Sequence, residues 1–166
     1  MIGWILAGLL VREAYVGMQG INERQMIFRQ ARSYADSIGK PLLVVGTPRW
    51  GFNHPCGDVT IDIQPGVGRY CDVEIADVRD IPYPSGHFGA AYVSHVLEHL
   101  PTIEDASRAL DELERVADKV FTVSPDKNSL LAWGYPGHYL WINPSGDGYV
   151  IEQRRTGTKR EAYWEA

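Results

Sequence analysis

The chain has 166 residues, of which 45% are hydrophobic and 22% charged, and a net charge of −5. That length and composition suit one folded domain with a sizeable core and exclude disorder as its overall state. No block of lysine and arginine offsets the acidic balance, so a nucleic-acid partner is not expected; the one basic cluster, 154–160, reads as a solvated C-terminal segment. Cys56 and Cys71 form no CxxC pair, which excludes a zinc knuckle or a disulfide framework. They leave a single bridge open and suit a reducing compartment, so we expect a protein of the cytoplasmic side, in solution or at a membrane.

Ile2 to Val11 is wholly apolar, and Arg12 and Glu13 interrupt it. The run is about half of the ~20 residues that a membrane-spanning helix needs. It lacks the basic flank and the cleavage site of a signal peptide. Three readings stay open: a terminal helix buried over a sheet, a short membrane anchor reaching Met18 with Arg12 snorkelling, and a helix docked in a partner protein. Apolar character on all faces puts a membrane or partner level with burial. We therefore divide the chain into an apolar N-terminal helix, 1–18, acting as anchor or cover, and a folded domain, 19–166.

Residues 21–38 predict an amphipathic helix, because Met26, Ile27, Ala31, Tyr34, Ala35 and Ile38 recur at three- and four-residue steps. Asn22 is placed to cap its start, and Gly39 and Pro41 to stop it. Residues 41–46 read as a buried strand, and 58–63 as an alternating one with Val59, Ile61 and Ile63 on one face. Strands are also predicted at 72–77 and 88–93. Pro48, Gly51, Pro55 and Gly57 leave no room for a helix between Gly46 and Asp58. Residues 65–68 read as a turn, so no helix is expected between Asp62 and Asp77 either.

Residues 102–119 give the clearest helix. Thr102 and Asp105 stand near capping-box spacing, and Ile103, Ala106, Leu110, Leu113 and Val116 or Ala117 form its apolar stripe. A strand follows at 120–124. Segments 138–142 and 149–153 flank a turn-rich loop and predict an antiparallel hairpin on the edge of the sheet. Strands divided by helices argue for an α/β fold with parallel members. The expected fold is thus a Rossmann-like, mostly parallel sheet with a C-terminal antiparallel hairpin and reduced helices on one face. The N-terminal helices are the available cover for that face.

The stretch 76–101, ADVRDIPYPSGHFGAAYVSHVLEHLP, concentrates the chemistry. Asp77 closes a strand, a Pro-rich turn runs from Ile81 to Pro84, an apolar run follows, and Glu98 sits between two histidines. This resembles the second half of a class I S-adenosylmethionine (SAM) methyltransferase domain of type 11, in a shortened and partly degenerate form. The resemblance covers roughly 22–153. It implies SAM as cofactor, with Asp62 on the ribose hydroxyls and Asp77 on the adenine amino group. Gly46 and Gly51, in the turn after the first strand, would give the cofactor access to the backbone. It also implies methyl transfer to a small-molecule or lipid acceptor oriented by residues 94–99, with His95 and His99 as catalytic candidates. Such transfer needs mostly positioning, so the lack of an obvious nucleophile does not count against it. In build the chain is also similar to compact, N-terminally hydrophobic methyltransferase-like proteins encoded by viruses.

The family's acidic residue before the first glycine is replaced here by Val44 and Val45. A second reading therefore stands beside the first: a non-catalytic methyltransferase-fold module for binding or structure, attached through its N-terminal helix. On a helix His95 and His99 would share a face and, with Glu98, could ligate a metal; no further ligand is evident, and no metal is expected. Cys56 reads as a small buried filler. Trp133, Tyr135, Tyr139 and Trp141 either cap a substrate pocket or fill core.

Overall fold

The computed structural model describes residues 2–47, 56–64, 71–145 and 148–163. The chain opens with a 36-residue helix, α1 (Ile2–Ser37). It runs unbroken through Gly17, Gly20 and Asn22, so the two expected helices are one and Asn22 caps nothing. A glycine inside a helix costs only about 1 kcal/mol, which neighbouring helix formers absorb. The stop is as expected. Gly39 takes the left-handed conformation, and Lys40 N–H returns to the Ala35 carbonyl.

Five strands follow: β1 (Leu42–Val45), β2 (Val59–Asp62), β3 (Glu74–Ile75), β4 (Phe88–Ser94) and β5 (Ala117–Val123). They form one sheet in the order β3-β2-β1-β4-β5, parallel throughout. β1 and most of β4 are buried, as central strands covered on both faces must be. One cover is the C-terminal half of α1. Its Ala31 and Ala35, flanked by Ile27, Phe28 and Tyr34, pack on Leu42, Val44, Ala90 and Tyr92. The other cover is α2 (Ile103–Val116). Thr102 Oγ1 accepts from Asp105 N–H at its start, and Ile103, Ala106, Ala109, Leu110, Leu113 and Val116 are buried. They share a core with Leu43, Val45, Ile61, Phe88 and Val93.

The N-terminal end of α1, residues 3–11, packs on neither core. Trp4, Leu6, Leu10 and Val11 are exposed, Trp4 to 87% and Val11 to 71%. Among the described residues no helix is long and apolar enough to cross a membrane.

The C-terminal part differs from expectation. β6 (Leu140–Ser145) and β7 (Gly148–Gln153) do form the expected antiparallel hairpin, but not on the edge of the parallel sheet. β8 (Lys159–Tyr163) pairs with β7 to complete a separate three-stranded sheet. Leu140, Ile142 and Ile151 turn into the core under α2, and this burial holds the hairpin against that layer. Residues 155–160 are exposed, as expected of a solvated segment, but residue 154 is held by the fold. The Arg154 guanidinium donates to the carbonyls of Trp133, Tyr135 and His138 and lies over the rings of Trp133 and Trp141. An unexpected short helix, α3 (Leu130–Gly134), precedes this sheet, capped by Ser129.

Between the first three strands, the described residues contain no helix. Gly51, Pro48 and the 65–68 turn lie outside the described residues. Cys56 is not a free filler: it is bonded to Cys71, with the two Cα atoms 5.7 Å apart. The bond ties the segment entering β2 to the segment entering β3. A closed loop of this size is worth about 3 kcal/mol in the chain-entropy view.

Candidate active site

In a parallel sheet all carboxyl ends lie on one edge, and the order of this sheet reverses between β1 and β4. A ligand crevice belongs at that switch point. Here β1 leads into Gly46 and β4 into His95. Gly46 has φ of 86°, and its N–H donates to the Ile61 carbonyl at 2.9 Å. A Cβ at Gly46 would lie 2.4 Å from Val96 Cγ2, so only glycine lets the two strand ends pass this closely. Beside it opens a crevice of about 680 Å³, whose walls include Gly46, Asp62, Asp77, His95, His99 and Tyr139. The sequence candidates that the structure describes thus come together at one edge.

Asp62 ends β2 and holds the turn after β1. Its Oδ2 accepts from Thr47 N–H at 2.9 Å and Thr47 Oγ1–H at 2.8 Å, and its Oδ1 from Gln64 N–H at 2.8 Å. Two lone pairs per oxygen leave one acceptor position on Oδ1. Asp77 is more fully engaged. Its Oδ1 accepts from the backbone N–H and Nε of Arg79, and its Oδ2 takes the guanidinium at 2.6 Å. These bonds to Arg79 hold the Asp77 carboxyl below its usual range, against the opposing effect of burial. Arg79 in turn donates to Asp105 at 2.7 Å and so ties the crevice wall to the start of α2.

His95 has φ of 55°, an uncommon conformation for a side-chain-bearing residue, which swings the chain sharply off the end of β4. The segment after it is a 3₁₀ turn, Leu97–His99, and not an α-helix. His95 lies outside it, so the two histidines do not share a helical face, although both reach the crevice. The turn instead drives Glu98 inward. Glu98 is 0% exposed, and neither of its carboxylate oxygens accepts a hydrogen bond. His95 Nδ1 lies 3.1 Å from Oε1.

His99 donates from Nδ1 to the Gly137 carbonyl at 2.8 Å, and its ring packs 4.9 Å from that of His138. His138 sends its own Nδ1 to the Ala132 carbonyl at 3.2 Å. Burial pushes the His138 pKa down, with the nearby Glu98 carboxylate opposing. Glu98, His99 and His138 each bring one ligating atom into a group no more than 4.8 Å across. His138 was missed from the sequence: it arrives from the loop before β6, and no spacing links it to Glu98-His99. Of the aromatic residues, Tyr135 and Tyr139 line the crevice, while Trp133 and Trp141 pack against each other at a tilt beneath Arg154.

This sheet order, with one carboxylate closing β2, another just after β3 and a glycine crossing at the switch point, is that of a Rossmann-like α/β domain. Residues 59–119 match a family model described as a methyltransferase domain. That span runs from β2 through α2. Solved structures similar to the chain include the N-methyltransferase NodS from Bradyrhizobium japonicum WM9 in complex with S-adenosyl-L-homocysteine. It has 15% identity and a TM-score of 0.40, over 56% of each chain. The (4+2)-cyclase SpnF has 20% identity and a TM-score of 0.36, over 54% of this chain and 40% of that one. The PH0226 protein from Pyrococcus horikoshii OT3 has 15% identity and a TM-score of 0.45, over 87% of this chain and 77% of that one. The chain therefore spans about half the length of the first two structures. No curated protein matches it.

Proposed function

We propose that this chain binds SAM in the crevice at the carboxyl edge of the sheet and passes its methyl group to a small-molecule or lipid acceptor. The observation that carries this reading is the crossing of Gly46 past Val96 with Asp62 and Asp77 on the same crevice. SAM supplies an electrophilic methyl on sulfur, and the protein has to align it with the acceptor. Asp62 takes a ribose hydroxyl on the open position of Oδ1. Asp77 receives the adenine amino group by sharing oxygens that Arg79 now occupies. His95 is placed to take a proton from the acceptor, with its Nδ1 held 3.1 Å from Glu98 Oε1. His99, on the same wall, orients the acceptor.

The outer surface supports a lipid acceptor. Glu13 accepts from the N–H groups of Leu130 and Leu131, and Arg12 donates to the Asn128 carbonyl. These bonds bring the apolar half of α1 beside α3, where Leu130, Leu131 and Trp133 are also exposed. Tyr135, just beyond α3, lines the crevice. Exposed apolar groups next to a substrate opening fit a surface contact with a bilayer, not a crossing of it; the Cys56–Cys71 bond removes the support that free cysteines would give to a reducing compartment.

One observation favours the second reading, a non-catalytic module attached through α1: Arg79 already bonds both oxygens of Asp77. Calorimetric titration with SAM separates the two. Methyl transfer requires saturable binding that weakens by about 1–3 kcal/mol in Asp77→Ala, the value of a hydrogen bond to a charged group. Wild type and Asp77→Ala equally inert toward SAM would establish the non-catalytic module.

A further inference from the structure

We propose that Glu98, His99 and His138 form a binding site for one divalent transition-metal ion, behind the crevice wall that His99 contributes. Two observations converge. The first is Glu98, wholly buried with no hydrogen bond to either oxygen. A carboxylate in that setting needs a cation or a donor to offset its lost hydration. Its nearest basic neighbour, His95, approaches one oxygen without hydrogen-bond geometry, which leaves the second oxygen unaddressed.

The second observation is the orientation of the two histidines. A backbone carbonyl only accepts, so His99 and His138, each with Nδ1 against a carbonyl, carry their ring protons there. The lone pair of each ring then sits on Nε2. Histidines that ligate metals are held in this way, with the outer nitrogen fixed by a carbonyl or carboxylate. One candidate ligand atom from each of the three residues lies within 4.8 Å of the others, so a small side-chain adjustment brings the three onto one ion. Two imidazoles and a carboxylate suit zinc, iron(II) or manganese better than calcium or magnesium, which prefer oxygen alone. Three protein ligands leave coordination positions open, as in metal sites that also take water or a substrate atom.

The three ligands come from two separate parts of the chain. Glu98 and His99 sit in the turn after β4, and His138 sits in the loop before β6. The Tyr139 N–H also donates to the Glu98 carbonyl at 2.8 Å, which already pins these two segments together. A bound ion would add a second tie between the parallel sheet and the C-terminal sheet.

The test uses the full chain without an affinity tag, stripped of metal by chelator, and needs no SAM, so its outcome is independent of the methyltransferase reading. Zinc, manganese and iron(II) are titrated separately by calorimetry, with melting temperature recorded with and without each ion. We expect at least one of them to bind one per chain at micromolar concentration or tighter and to raise the melting temperature. Glu98→Gln and His138→Ala should each weaken that binding at least about 100-fold, and both should melt where the metal-free wild type does or above it. His87→Ala, a histidine away from the cluster, should bind as wild type does. Absence of one-to-one binding for all three ions would overturn the proposal. So would binding that survives in both Glu98→Gln and His138→Ala.

Discussion

Replacing Gly46 by alanine tests the crossing on which the crevice depends. Two costs separate cleanly at this position. The first is conformational: a residue with a Cβ held at positive φ costs about 1–2 kcal/mol. The second is steric. The new Cβ would lie 2.4 Å from Val96 Cγ2, and valine has little χ1 freedom with which to withdraw. An off-rotamer valine adds about 0.5–1.5 kcal/mol. Gly39 supplies the control, since it has a similar φ of 66° and nothing within 4 Å of its ideal Cβ. Gly39→Ala should therefore pay only the first cost, and Gly46→Ala about 1 kcal/mol more. Urea unfolding of both variants measures the difference through the midpoint at unchanged slope. Adding Val96→Ala to Gly46→Ala should recover the steric part relative to Val96→Ala alone. Equal destabilisation by Gly39→Ala and Gly46→Ala would refute the close crossing, and with it the reason for glycine at the head of the crevice.

Acid should unfold the protein through the polar face of α2 and its neighbours. Bonds to Arg79 lower Asp77, bonds from Thr102 and Arg79 lower Asp105, and bonds to Arg115 lower Glu112, from ordinary values of 3.8, 3.8 and 4.5. Groups depressed in the folded state contribute stability that is full above the unfolded values and vanishes as pH falls through the folded ones. The melting temperature should be level above about pH 5.5 and fall steadily below about pH 4.5; a level profile down to pH 3 would remove these carboxylates from the account. Arg79→Ala should release both oxygens of Asp77, so SAM should bind as tightly as in wild type or more tightly, while the melting temperature falls; a loss of SAM affinity as large as that of Asp77→Ala would show that Asp77 acts only with Arg79. Deleting residues 1–11 removes apolar groups that cover nothing, so the melting temperature should move by under about 2 °C and co-sedimentation with phospholipid vesicles should be lost; a drop beyond about 5 °C would place this end of α1 in the folding core.

The elements that could be read from the sequence are those whose local pattern and tertiary role agree. α2 announces itself by its apolar stripe and by Thr102, and the structure uses both. β1 and β4 are continuous apolar runs because both of their faces are covered. Asp62 and Asp77 could be found because the resemblance places a carboxylate at the end of each of two strands. The failures share a different cause. Gly17 and Gly20 look like breaks, yet a glycine is only a weak interruption where no proline reinforces it. β8 is polar, and pairing with β7 decides it rather than any period of its own. Glu98 had no direction in the sequence, and only the 3₁₀ turn, which carries Leu97 into the core, sends it inward. His138 and the Cys56–Cys71 bond depend on distances between remote segments, which no local pattern encodes.

Because α1 is continuous, the same rigid rod that closes one face of the sheet also carries the apolar end. Arg24 lies on the crevice wall, and the Tyr92 hydroxyl holds its carbonyl at 3.1 Å. From there to Val11 the helical rise amounts to about 20 Å, with no hinge along the way. The helix therefore works as a ruler. Whatever surface receives the apolar end, the crevice is held at a set distance along the axis from it. A rod that stands upright on a bilayer would select acceptor atoms borne well out on large headgroups, whereas one that lies flat would bring the crevice down to the glycerol level. On a bilayer, the tilt of one helix would then decide which depth of a lipid is within reach.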